Sequence, residues 1–330
     1  MYYLLNIEKH NNGDYMKVIL GYVSIPLTLN ITSSKTITYT RFKEIDNGLD
    51  KINNIIIENL DSLLEIQKYN IKNNIHFYRL TSNLIPLATT EIEFDYIDKY
   101  KDKYREIGRI INKNNIRVDM HPGEYCVLNS TKKEVIENSF QILKYHYNII
   151  DVLNIKNPKL VLHVGSSEFG KKNSLIRFIN NYNKLDSKIQ KMIIIENDDK
   201  VFNVKDVLSL CNVLDIPMVL DYHHYICNNE GDDIEDYLLD IFSTWKRTNL
   251  SPKVHFSSPK KKKKKDFRSH NDYINVDSFI SFVEMCKKYT DELYIMIEAK
   301  MKDIALFNLV RELKYKTNYK FIDDTSFIVK

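Results

Sequence analysis

Short apolar runs, rich in β-branched residues, recur along the whole chain, and longer polar stretches separate them. The runs are KVILGYVSI (17–25), IHFYRLTS (75–82), IRVDMHPG (116–123), KLVLHVG (159–165), MIIIENDD (192–199), IPMVLDYHH (216–224), PKVHFSS (252–258) and LYIMIEAK (293–300). Each has strand length. Most are almost continuously apolar, as strands covered on both faces must be. The stretches 44–73, 93–114, 131–154, 171–190, 203–214, 232–247, 276–289 and 302–314 are compatible with helices. Strand then helix, eight times over, with crossovers long enough for parallel pairing, predicts a single-domain α/β fold of the (β/α)8 TIM-barrel type. An open doubly wound sheet is the competing architecture, but it would prefer fewer strands and a Gly-rich phosphate loop. Residues 1–15 precede the first run and read as an N-terminal extension, with Met16 an equally good start. The barrel is expected over 16–330.

Composition narrows the class. Apolar residues make up 43% of the 330, enough for a substantial core. No uncharged apolar stretch reaches the roughly 18 residues of a membrane span, so none is expected. The first residues lack a basic segment followed by a long apolar run, so no secretory leader is expected. Cys126, Cys211, Cys227 and Cys286 form no C-x-x-C pair. They point to free thiols in a reducing cytoplasm. The net charge of +4 owes much to one uninterrupted run, Lys260–Lys265. Outside it the chain is slightly acidic, so any attraction to a polyanion must be local.

The chemistry collects where a parallel barrel places it, at the C-terminal ends of strands. The third run ends with His121, the fourth with His163, the fifth with Glu196, and the sixth with Asp221 and His224. The seventh carries Lys253 and His255, His270 follows in the next loop, and the eighth ends with Glu298. The carboxylates of ENDD (196–199) are thus expected to face a shared mouth. Any one of these residues alone is more often a hydrogen-bonded core or surface group than a ligand. The chain has only nine histidines, however, and five of them fall at these strand ends or in the following loop. Gathering so many ionisable groups in one pocket is costly unless cations balance them. A mixed His, Asp and Glu set exceeds one tetrahedral ion and suits two or three divalent metals. Bridging carboxylates fit a phosphoester hydrolase. Strand alternation would pair Asp221 with His223, whereas a turn would pair it with His224. The second is expected, with His223 packing behind.

Nine segments, LGYVS (20–24), LIPLA (84–88), MHPGEY (120–125), LHVGS (162–166), IENDD (195–199), DYHH (221–224), KVHFSSPK (253–260), FRSHNDYI (267–274) and MIEAKMKD (296–303), run in order through nearly the whole chain. Together they resemble the UV damage endonuclease family. The resemblance implies a TIM barrel with two or three Mn²⁺-type ions that nicks duplex DNA on the 5′ side of UV photoproducts, leaving a 3′-hydroxyl. It implies activity on cyclobutane dimers, (6–4) photoproducts and abasic sites, and kinship to endonuclease IV. The metal ligands it implies are His121, His163, Glu196, Asp221, His224, His255, His270 and Glu298, with Glu196 bridging. Glu196, Lys253 and His255 would be catalytic, Lys253 matching a family lysine that can be carboxylated. The family often has Gln-Tyr after His-Pro-Gly, a pair that inserts at the lesion; here it is Glu124–Tyr125. LIPLA is commonly followed by Ser-His, and here Thr89–Thr90 stands there.

Three further features bear on DNA. Lys260, Lys261 and Lys262 open the lysine run and would track phosphates, against the plainer reading of a solvated loop. Tyr22 would stack on a base, against a core tyrosine. Arg79 is either an ion pair inside the barrel or a phosphate contact, with the first preferred. The expected partner is UV-damaged duplex DNA, bound by a monomer that works where the DNA is, with no membrane involved. A xylose isomerase-like sugar isomerase or epimerase would share the metal pocket but would need no lysine loop or inserted Tyr. A non-catalytic nucleic-acid binder would have no reason to keep the ligand set.

Overall fold

The computed structural model describes residues 15–261 and 264–330. Eight parallel strands close a barrel: β1 (Met16–Val23), β2 (Phe77–Leu80), β3 (Arg117–Met120), β4 (Lys159–Leu162), β5 (Ile193–Glu196), β6 (Met218–Asp221), β7 (Lys253–Phe256) and β8 (Glu292–Ile297). All eight lie within the eight apolar runs or overlap them. Closure comes from β1, which pairs with β8 from Lys17↔Glu292 to Tyr22↔Ile297 and with β2 from Gly21↔Phe77 to Val23↔Arg79. Helices Gly48–Lys72, Lys101–Lys113, Lys133–Leu153, Lys171–Tyr182, Val204–Leu214, Glu235–Ser243, Val276–Cys286 and Lys302–Lys316 fill the crossovers. The expected N-terminal extension falls almost wholly outside the described residues. Among those described, no helix is long and apolar enough to cross a membrane, and all four cysteines are free.

One element departs from the simple barrel. After the last crossover helix, β9 (Lys320–Phe321) and β10 (Ser326–Val329) form a hairpin. β10 runs antiparallel to the first half of β1, from Met16↔Val329 to Ile19↔Ser326. The edge of β1 is therefore shared: β10 covers its start and β2 its end. Phe327 is fully buried there, its ring stacked on Tyr319 at 5.3 Å.

Strand alternation decides what the barrel encloses. Residues such as Leu20, Tyr22, Tyr78, Val118, Leu160, Ile195, Leu220 and Val254 join the large core shared with the helices. Their neighbours turn inward, where Ile19, Phe77 and Met296 pack together, as do Val161, Ile194, Val219 and Trp245. The inward set also carries charge. Lys253 Nζ lies 2.6 Å from Asp119 Oδ2, both wholly buried, and the Arg117 guanidinium stands 4.6 Å from the Tyr294 ring and 5.1 Å from that of Trp245. One two-residue step up each strand leads from this layer to the mouth: Asp119 to His121, Lys253 to His255, Met296 to Glu298.

Candidate metal centre

Glu196, the last residue of β5, is the hub. Its Oε1 lies 3.0 Å from His121 Nε2 and 2.7 Å from His163 Nε2. Its Oε2 lies 2.5 Å from His255 Nδ1, yet makes no hydrogen bond of proper geometry. Two groups result, His121–His163–Glu196 and Glu196–Asp221–His255, each with ligand atoms within 4.8 Å of one another. Glu196 belongs to both.

The remaining groups complete the rim. Asp221 ends β6 and caps the short helix Tyr222–Cys227, its Oδ1 accepting from the His224 backbone N–H at 2.8 Å. The strand thus ends at Asp221, and a helical turn brings His224 beside it, with Nδ1 at 3.6 Å from Asp221 Oδ2. His223 is fully buried, packed against the Phe267 ring at 6.0 Å. His270 Nδ1 stands 3.9 Å from Glu298 Oε2. Arg79 takes the structural role: Nη1 pairs with Glu298 Oε1 at 2.6 Å and Nη2 approaches His255 Nε2 at 2.7 Å.

Neighbouring carbonyls set the imidazole tautomers. His121 Nδ1 donates to the Pro122 carbonyl at 2.9 Å and His224 Nδ1 to that of Asn197 at 3.0 Å. Each therefore leaves Nε2 as the nitrogen to ligate a metal, the usual arrangement behind a ligating histidine. Burial pushes the His255 ring down to about 4, against the pull of Glu196, so it is neutral and able to ligate. Burial alone would raise Glu196, but the His163, His255 and His121 rings hold it well below the usual carboxylate range. Burial, with Glu298 and Glu196 nearby, lifts Asp221 to about 7. Burial would lower His224, but Asp221, Glu196 and Glu298 outweigh it and raise the ring to about 9.

The buried atoms test the fit. Among the described residues, Glu196 Oε2, Asp221 Oδ2 and His163 Nδ1 are buried with no hydrogen bond of proper geometry. Two of these are carboxylate oxygens facing one pocket, a costly arrangement that divalent cations would relieve. The donor set of imidazole and carboxylate suits Mn²⁺-type or Zn²⁺-type ions.

Not every expected site residue arrives here. Of ENDD only Glu196 enters the pocket: Asp198 accepts the backbone N–H groups of Lys200, Val201 and Phe202, and Asp199 pairs with Arg268 at 3.6 Å. Tyr22 is corrected outright. It is wholly buried on the helix side of β1, its hydroxyl donating to Asn70 Oδ1 at 2.8 Å, so no base can reach it. Lys253 lies one layer below His255, on Asp119, and burial lowers its ammonium to about 8. Glu124 is exposed, and Tyr125 is 74% exposed on the loop after His121. Lys260 and Lys261 are exposed on the rim, with Pro259 bridged antiparallel to His270. Lys262 lies outside the described residues. Two contributors went unnoticed in the sequence. Asn197 ties β6 to β5, its Nδ2 donating to the Asp221 carbonyl and its Oδ1 accepting the Asp221 N–H, both at 2.9 Å. Asp119 holds Lys253. The available signal was a lone polar residue amid apolar strand residues, which must find a partner.

The profile of the family UV-endonuclease UvdE matches residues 18–326, nearly all of the barrel. The chain belongs to that family. A UV DNA damage endonuclease from Bacillus cereus is 39% identical over 303 residues, covering 90% of this chain and 95% of the relative. The solved structure titled "Crystal Structure of SacUVDE" superposes with a TM-score of 0.81 at 37% identity, covering 90% of this chain and 98% of that one. Endonuclease IV from Thermus thermophilus, 12% identical with a TM-score of 0.55 over 91% of this chain and all of that one, shares the fold. UV-endonuclease membership makes this barrel a DNA-repair nuclease.

Proposed function

We propose that the protein nicks duplex DNA on the 5′ side of UV photoproducts, cyclobutane dimers and (6–4) photoproducts, and also cuts at abasic sites. The observation that carries the reading is Glu196, shared by two ligand groups at the mouth of a barrel of the UV-endonuclease family. His121, His163, Glu196, Asp221, His224, His255, His270 and Glu298 are the ligands proposed for two or three divalent ions, Mn²⁺ first among them. Such ions would polarise the phosphate and supply hydroxide near neutral pH.

The chain's own residues do the rest. Arg79 fixes Glu298 and His255, so their ligand atoms stay aimed at the pocket. Asn197 fixes Asp221 and His224 in the same way. Lys253, buried one layer below His255 against Asp119, is the lysine proposed to take part in catalysis. Water adds to phosphorus, the opposite P–O bond breaks, and the leaving 3′-oxygen of the strand takes a proton. Tyr125 and Glu124 enter the duplex where the lesion has already weakened stacking, which costs less than at intact pairs.

The test uses a 5′-labelled, UV-irradiated duplex with Mn²⁺. One product cut 5′ to the photoproduct, absent with unirradiated DNA, is expected. Glu196→Gln keeps the shape and removes the shared charge, so bound metal should drop and incision fall by several orders of magnitude, while lesion binding persists. Near-normal nicking by this variant would remove Glu196 from the centre. No nicking by the wild type in any divalent metal would sink the reading.

A further inference from the structure

Phe169 has no structural reason to be where it is. It lies in the loop between β4 and helix Lys171–Tyr182, on the same face as His163, and is 72% exposed. Its φ is +59°, in the left-handed region. A bulky side chain there is strained, and glycine would relieve it. The fold gains nothing from an aromatic ring in water on a strained backbone.

The loop around it is held firmly. Asn173 Nδ2 donates to the Phe169 carbonyl at 2.8 Å. The carbonyl of Glu168 accepts from Arg177 Nη2 at 2.6 Å and from Ser174 Oγ at 3.1 Å. This loop is also fastened to the one that carries Tyr125. Thr131 Oγ1 donates to Glu168 Oε2 at 2.7 Å, and Asn129 Nδ2 to the Ser166 carbonyl at 2.6 Å. Arg177 Nε reaches the Asn129 carbonyl at 2.8 Å. The two exposed rings therefore ride on one braced unit beside the metal centre.

We propose that Phe169 is a second stacking residue for DNA, taking the face of a nucleobase that loses its partner when the duplex opens at the lesion. The inference rests on the endonuclease reading given above. A nucleobase fits because every base has a π-face and stacks without regard to sequence. Tyr125 would hold the duplex open and Phe169 would hold what the opening releases. Phe169 is thus a determinant of damage preference and does not touch the scissile bond.

Fluorescence anisotropy on matched damaged and intact duplexes, with Ca²⁺ in place of Mn²⁺, tests it. Phe169→Leu and Phe169→Gly should weaken binding to damaged duplex by roughly 10-fold, with intact duplex nearly unchanged. Phe169→Gly should melt no lower than wild type, since it removes strain, which separates lost contact from lost structure. Phe169→Trp should keep affinity. The chain's one natural tryptophan, Trp245, is buried out of reach of DNA, so the DNA-dependent change in emission comes from the new indole, and damaged duplex should quench it more than intact duplex. Wild-type affinity in the Leu and Gly variants would overturn the inference and leave the endonuclease reading standing, as would equal losses on both duplexes. A wild type with no preference for damaged duplex would overturn that reading and this inference with it.

Discussion

His146 shows what burial does to a single ionisable side chain. It sits in helix Lys133–Leu153, 2% exposed, its Nδ1 donating to the Ile142 carbonyl at 2.7 Å and its Nε2 without a partner among the described residues. Burial pushes the ring down to about 4, against that hydrogen bond. Between about 6.5 and 4 the unfolded chain binds a proton that the folded chain refuses. Stability from this group is therefore complete above about pH 6.5 and is lost as pH falls toward 4, by at most about 3 kcal/mol. Denaturant unfolding of His146→Gln across that range should show a shallower acid limb than wild type. Equal limbs would mean that other groups carry the acid sensitivity. Site residues were readable from sequence to the extent that their type was unusual for their place. His121, His163, Glu196 and His255 end or border buried strands, where an ionisable group needs a partner. Tyr22 was misread because a tyrosine near a strand end packs as readily as it stacks, and only the strand's register shows that it faces the helices.

Among elements, period separates what the sequence declares from what it conceals. The eight barrel strands are apolar on both faces and alternate with helical stretches, so their existence and order follow from pattern alone. The β9–β10 hairpin has strands of two and four residues around an Asp-Asp-Thr turn, too short to express a period. The same brevity hides its importance. Phe327 is fully buried between Tyr319 and Phe321. Phe327→Ala should destabilise the protein by about 3–5 kcal/mol, read as a lower denaturant midpoint with the site residues untouched. A change within error would show the hairpin to be an ornament on a barrel already closed by β2 and β8.

Across the whole molecule, charge is arranged locally. Lys260 and Lys261 lie on the rim beside His270, in a chain otherwise slightly acidic. Replacing Lys260, Lys261 and Lys262 with Ser should flatten log affinity against log salt by roughly 2–3 units, at about 0.9 per phosphate contact. Preference for damaged DNA should hold, because phosphate contacts position without specifying. An unchanged slope would leave the run as solvated loop. The seam at β1 has a different consequence, one of timing. β1 leaves the ribosome first among the strands, yet Met16 pairs with Val329 and Lys17 with Glu292. Its neighbours on both sides of the seam's lower half are the last strands to be synthesised. A nascent chain can build from β2 through β7 in order, each strand finding the one before it, while β1, paired with β2 only at its end, waits with its lower half and its β8 edge open. Closure of the ring, and with it the mouth that brings Glu298 to His255, must follow translation of β8, so the metal centre is assembled only once nearly the whole barrel has been made.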